Sequence, residues 1–267
     1  MILITGCNRS WYSKFHWKAE EFFDDPKVIA LCKAIEAKDM KKIDQLVAEG
    51  ADVNAKGKGN MTPLLWAFPE NKPEVFKRIL EHGADPNVVV TSDFNTCSAN
   101  HFEEIIRPGD AVLHLAARTS YPNYFKYVML HGGDPNLIRQ WYMESPLMTV
   151  IRGWCPNKKE AIQLLIDAGA NIDYRASSLD STALAKSTSF GYPLTLQLLE
   201  AGASFNICKD DGDTFVHFFC MMLKGHGQTC HLNVRKVMQK SLHGLMPTVL
   251  ISKAQRKTTS RDLKEAG

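Results

Sequence analysis

A short phrase returns five times along this chain, and its spacing limits the fold more than any other feature. It reads Glu49-Gly50-Ala51-Asp52-Val53-Asn54, then His82-Gly83-Ala84-Asp85-Pro86-Asn87, then His131-Gly132-Gly133-Asp134-Pro135-Asn136. It returns as Ala168-Gly169-Ala170-Asn171-Ile172-Asp173 and as Ala201-Gly202-Ala203-Ser204-Phe205-Asn206. The leading glycines stand at 50, 83, 132, 169 and 202, so the steps are 33, 49, 37 and 33. A period of this length marks a stacked array of small units, none of which buries its own apolar face alone.

Each phrase closes a helix. Seven, four and three residues before the glycine stand Ile43, Leu46 and Val47, then Phe76, Ile79 and Leu80. The same offsets give Phe125, Val128 and Met129, and Ile162, Leu165 and Ile166. That is the stripe of a helix with one buried face. The glycine follows because a helix commonly ends on a residue with positive φ, which glycine adopts without a Cβ clash. Thr195 interrupts the stripe of the fifth unit, where Leu198 and Leu199 keep it.

A second phrase opens each unit, clearest as Thr62-Pro63-Leu64-Leu65-Trp66-Ala67. Thr62 suits the N-cap, where its hydroxyl accepts an orphan backbone N–H. Pro63 suits the first helical position, which needs no N–H. Weaker copies start at Ala111, Ser145, Ser181 and Thr214.

Together these phrases resemble the ankyrin-repeat family: a Thr-Pro-Leu-His-x-Ala start, an apolar second helix and a Gly-Ala-Asp-x-Asn end. The resemblance implies an all-α solenoid of five to six helix-turn-helix units with β-turn fingers and atypical caps. The units run over 25–54, 55–87, 88–136, 137–173 and 174–206. A degenerate sixth starts near Asp211, with 234–242 as its second helix. The chain accordingly divides into an N-terminal aromatic segment (1–24), a repeat domain (25–245) with an insertion at 88–108, and a basic tail (246–267). Terminal units lack one neighbour, so ragged caps are expected.

The resemblance also implies a function. Family members commonly bind partners through the fingers and the inner helix face, here the helices of Leu65-Trp66, His114 and Met148. The candidate contacts are Lys56, Lys58, Trp66, Phe94, Arg139, Trp141, Tyr142 and Arg175. Arg139, Trp141 and Tyr142 share one finger, and those residue types are enriched at binding hot spots. The insertion adds Phe94, with Phe102, Ile105 and Ile106 at helical spacing, either packed on the solenoid or offered to a partner. Replacing Arg139, Trp141 and Tyr142 by Ala is expected to weaken binding with little loss of thermal stability. The partner is a protein, and the chain is expected to act as a monomer.

Catalytic motifs are absent from the sequence. Ala55-Lys56-Gly57-Lys58-Gly59-Asn60 lacks phosphate-loop spacing, and neither Gly-x-Ser-x-Gly nor His-Glu-x-x-His occurs. His217, Cys220, His226, Cys230 and His231 offer zinc donors, and a zinc-dependent regulator or enzyme built on Cys220–His231 is the alternative function. Their spacing is not that of a zinc finger, and His217 stands at the repeat's start histidine. In that role, like His114, it bridges helix and finger backbone. The reading is therefore of a non-enzyme with no metal, cofactor or small-molecule substrate.

The net charge of +3 gives no strong field towards nucleic acid, although Leu232 to Gly267 carries eight Lys or Arg and two acids. That tail lacks interleaved aromatics, so no nucleic-acid partner is expected. Seven scattered cysteines do not form a disulfide framework. Ile4-Thr5-Gly6-Cys7 resembles a bacterial lipoprotein box but follows only a stub of an apolar region. Two readings stay open. The match is accidental and the chain is cytoplasmic, or the true start lies upstream, Cys7 is lipidated and the repeats face an extracytoplasmic space. Trp11, Tyr12, Phe15, Trp17, Phe22 and Phe23 follow, too aromatic for a free tail, and are expected to fold over the first repeat.

Overall fold

The start of each repeat's first helix is written in its cap residues. In the computed structural model, which describes residues 12, 17–94, 106–121, 123–140, 142–176 and 181–204, Thr62 Oγ1 accepts the Leu65 N–H at 3.1 Å. The expected cap is therefore formed, with Pro63 at the first helical position. Asp25 before Pro26, Ser145 before Pro146 and Thr182 act alike, each accepting a backbone N–H of the first turn. Ala111 has no such oxygen. There His114 Nδ1 accepts the Ala111 N–H at 3.0 Å instead.

After a short lead helix α1 (Ala19–Phe22), the first unit holds α2 (Pro26–Ala37) and α3 (Met40–Ala48). The second holds α4 (Pro63–Ala67) and α5 (Pro73–Glu81), the third α6 (Val112–Arg118) and α7 (Tyr124–Leu130). The fourth holds α8 (Pro146–Arg152) and α9 (Lys158–Asp167), the fifth α10 (Ala183–Ser187) and α11 (Tyr192–Glu200). First helices stack on first helices, α2 on α4, α6 on α8 and α8 on α10. Second helices form a parallel row, α5 on α7, α7 on α9 and α9 on α11. The second helices bury the stripe read in the sequence: Ile43, Phe76, Ile79, Val128, Ile162, Leu165 and Leu198 are excluded from solvent. This is a quasi-one-dimensional core, in which every unit rests on its neighbours.

The end-phrase has two jobs. Its glycines take φ between 85° and 92° and turn the chain out of the second helix. Its asparagine then ties one unit to the next. Asn54 Nδ2 donates to the Gly83 carbonyl at 3.0 Å while its Oδ1 accepts the Asp85 N–H at 2.7 Å. Asn87 repeats this on Gly132 and Asp134, and Asn136 on Gly169 and Asn171. The preceding Asp52, Asp85 and Asp134 hold each asparagine by accepting its own N–H at 2.8 Å. At the fourth joint Asp173 accepts the Ser204 N–H at 2.8 Å, but a carboxylate has no N–H to return.

Two expectations need correction. Ile106 does not continue a helix: it pairs antiparallel with Phe94, extending a hairpin stem that begins with Val90 N–H to Asp110 O and Gly109 N–H to Val90 O, both 2.8 Å. The insertion is thus a lengthened finger at its base; Phe102 and Ile105 lie outside the described residues. The aromatic lead segment also reaches further than the first repeat. Ala19 and Phe23 are buried, with α1 on α2 as expected, but Tyr12 and Trp17 stack against Trp66 of the second repeat. Thr195 is fully buried, and Ser187 Oγ bridges it at 3.0 Å to the Leu184 carbonyl at 2.7 Å. A polar group in the stripe is tolerated because its hydrogen bond is made inside the pair of helices.

Candidate functional site

Fingers meet inner helices most elaborately at the joint of the third and fourth units. Asp110, directly before α6, is buried with its carboxylate between two guanidinium groups: Arg139 Nε at 2.5 Å and Arg118 Nη2 at 3.0 Å. Burial presses Arg118 down to about 10 against the pull of Asp110, so it stays charged at neutral pH. One unit on, Glu144 precedes α8 and pairs with Arg152, the last residue of that helix. Asp110–Arg118 and Glu144–Arg152 occupy equivalent places, each pair eight residues apart. The second unit has Met61 and Pro69 there, so the arrangement belongs to the middle of the solenoid alone.

The finger between these pairs is a tight hairpin in which Arg139 and Glu144 exchange backbone hydrogen bonds at 2.9 and 3.3 Å. It holds Tyr142 so that Arg139 lies 4.6 Å over the ring and Arg152 5.8 Å from it. Both are cation–π distances. Arg107 Nη1 donates to the Tyr142 hydroxyl at 3.3 Å. Met143 then takes φ 50°, a left-handed conformation rare for a residue with a side chain, and exposes 40% of its surface. Its carbonyl accepts the Tyr174 O–H of the next finger at 3.0 Å.

His114 locks this region from within. It is fully buried; Nδ1 accepts from Ala111 N–H and Nε2 lies 2.8 Å from the Leu137 carbonyl. Only the neutral Nε2–H tautomer satisfies both partners. Burial, the larger effect, carries its pKa down to about 4. The expected bridge from helix to finger backbone is thus present.

The sequence candidates divide. Lys56, Lys58 and Arg175 are exposed and Tyr142 is partly so. Lys56 lines a polar groove between fingers with Asn60, Asn87, Thr91 and Gln140, which joins it to the Tyr142 finger. Trp66 is wholly buried, its indole N–H donated to Glu36 at 3.2 Å, because the lead segment covers its face. Phe94 is 6% exposed, packed against Trp17 and Phe22. Arg139 is 5% exposed because it neutralises Asp110. These three are corrected from surface contacts to interior residues, and removing Arg139 carries a stability cost that the sequence reading did not foresee. Leu65, His114 and Met148 are buried too, so the exposed surface lies on the fingers more than on the inner helices. Trp141, Cys7 and the Cys220–His231 cluster lie outside the described residues. Met143 and Arg152 are the positions that the sequence reading missed. A methionine beside Trp-Tyr gives no hint of a left-handed exposed tip, whereas the repeated acid-to-Arg spacing was available to find Arg152.

Among the described residues no group of three His, Cys, Asp or Glu is placed to hold a metal ion. The Cys155 thiol is buried and pushed up to about 12, mainly by desolvation, so it is a poor nucleophile. No described helix is long and apolar enough to cross a membrane.

A row of helix pairs joined by turned-out fingers, clamped through one asparagine at three of the four described joints, defines the class. Residues 59–90 match the ankyrin repeat family model. A stretch of 62 residues is 40% identical to the human mitochondrial disaggregase, covering 23% of this chain and only 9% of that protein. An ankyrin repeat domain from Acinetobacter baumannii AYE superposes with a TM-score of 0.58 at 21% identity, over 78% of this chain and 95% of that one. The ankyrin repeat protein EF0377 gives 0.58 at 20% identity, over 79% and 97%. Residues 59–90 match an ankyrin repeat, and the fold of the chain is the all-α ankyrin solenoid. Repeats of this family generally mediate protein–protein interaction, and the family is typically non-catalytic.

Proposed function

We propose that the chain is a non-catalytic scaffold that binds a protein partner through its fingers, centred on the joint of the third and fourth units. The observation that carries this reading is the tip at Tyr142 and Met143. An aromatic ring is set between two guanidinium groups, beside an apolar side chain held outward by a strained backbone. Rigid aromatic and Arg side chains offer contact area at small entropic cost, which is why they dominate binding energetics. The repeated acid–Arg pairs fix the tip from below and supply no chemistry of their own. Lys56, Lys58 and Arg175 extend the same edge with positive charge, suited to a partner segment that carries carboxylates near an apolar side chain.

The test is capture of crosslinked partners from the native cell with the intact chain and with Tyr142→Ala/Met143→Ala. A partner of this surface is captured by the first and lost from the second, while the melting temperature changes little. Equal capture by both removes this surface as the binding site.

A further inference from the structure

The first three units carry a second groove, already filled. One wall is the finger 55–61, the floor is Trp66 of α4, and the far wall is Phe94 of the lengthened finger. Glycine makes the first wall thin. A Cβ on Gly57 would stand 2.4 Å from the Phe22 carbonyl oxygen and 2.8 Å from the Phe23 ring. A Cβ on Gly59 would stand 2.6 Å from Ser92 and 2.9 Å from the Phe94 ring. The repeats themselves orient the floor, since Glu36 of α2 holds the Trp66 indole N–H. The ring face is therefore set independently of what lies on it.

What lies on it is not part of any repeat. Tyr12 stacks on Trp66 with centroids 5.1 Å apart, and its hydroxyl donates to the Trp66 carbonyl at 2.7 Å. Trp17 lies 5.7 Å from Trp66 and 6.1 Å from Phe94. Phe22 lies 5.5 Å from Trp66 and 5.8 Å from Phe94. These three rings recur every five residues and precede the first repeat at Asp25. Helices, caps and asparagine clamps of the repeats are complete without them. Besides these three rings, the segment is held by buried Ala19 and Phe23, with α1 packed on α2, and by the Lys33–Glu20 ion pair, whose side chains are more than half exposed and so contribute little. Aromatic contacts of this geometry, with one buried hydrogen bond, are the means by which grooves hold short peptides.

We propose that this groove is a peptide-docking surface for a partner segment bearing aromatic residues about five apart, and that Tyr12, Trp17 and Phe22 are its intramolecular occupant. The proposal does not rest on the Tyr142 surface, which shares the finger 55–61 through Lys56 and Lys58 but none of these aromatic rings. A tethered occupant acts at an effective concentration of the order of millimolar, so a free peptide sees the groove only when the tethered segment is weakened.

The test is a fluorescence-anisotropy titration of a labelled peptide copying residues 10–24 into the full chain, wild type and Tyr12→Ala/Trp17→Ala. The expected result is saturable one-to-one binding to the double variant, at least tenfold tighter than to wild type, with a scrambled peptide inert to both. Tyr12→Phe, which keeps the ring and loses only the hydrogen bond to Trp66, is expected to show a smaller gain in the same direction. Equal affinity of wild type and both variants overturns the proposal. Loss of cooperative unfolding in the double variant also overturns it, because the segment is then part of the folded core. A dimer of the wild type that exchanges lead segments overturns the intramolecular assignment.

Discussion

Asn87 reaches across the longest step in the repeat to donate its side-chain amide to the carbonyl of Gly132 at 2.8 Å. The steps before and after it in the asparagine series, Asn54 to Gly83 and Asn136 to Gly169, close with the same bond at 3.0 Å. The enlargement of the third unit therefore leaves the joint untouched. A solenoid accommodates insertions where the chain turns outward, since stacking depends on the helix pairs and their clamps.

The clamp predicts a gain as well as a loss. Asn87→Ala removes one donor and one acceptor from two backbone groups and is expected to destabilise the chain by about 1–2 kcal/mol. Asp173 stands at the equivalent place in the fourth unit, where it accepts from Ser204 and donates nothing. Asp173→Asn supplies the missing N–H towards Gly202 and is expected to stabilise by about 0.5 kcal/mol. Urea unfolding of both variants measures this; a neutral Asn87→Ala would show that the clamps are incidental.

Arg139 and Tyr142 share a finger but are expected to behave oppositely. Arg139→Met strands the buried Asp110 carboxylate with Arg118 alone, a loss of about 3 kcal/mol of stability. Tyr142→Ala cuts a partly exposed ring and is expected to cost about 1 kcal/mol or less. Arg139→Met/Asp110→Asn takes the carboxylate away from the buried Arg118 as well and is expected to recover none of the loss. Thermal melts of the three variants at pH 7 decide this, and equal melting temperatures would contradict the buried pairing.

His114 makes stability fall on the acid side. The unfolded imidazole takes up a proton near 6.5, whereas the buried one resists until about 4. Below 6.5 the unfolded state binds more protons, so stability is full above that value and declines as the pH drops towards 4. Between pH 7.5 and pH 5 the decline is expected to be about 2 kcal/mol from this residue. His114→Gln starts less stable at pH 7 and lacks that share of the slope. An unchanged slope in the variant would mean that another group is responsible.

The architecture was legible because ankyrin units repeat the residues that physics needs most: cap, proline, stripe, glycine and asparagine. Thr62, Pro63 and the glycines report backbone geometry, which only a few residue types satisfy. The site was legible only in part. Trp66 and Arg139 look like hot spots by type, and burial of each depends on a distant partner, Tyr12 and Asp110, that no local pattern reveals. Met143 became visible only with its φ angle. Thr195 looked like a defect in the stripe, and the Ser187 hydroxyl that makes it tolerable lies on the other helix of the pair.

Site-directed photocrosslinking in the native cell tests the central claim most directly. A photoreactive residue replaces Met143 at the finger tip, or Gln163, which is exposed on α9 in the opposite row of the same unit. A discrete protein adduct at position 143 and none at 163 is the expected result. Adducts of equal yield at both positions, or none at 143, would contradict a partner surface on the fingers of this solenoid.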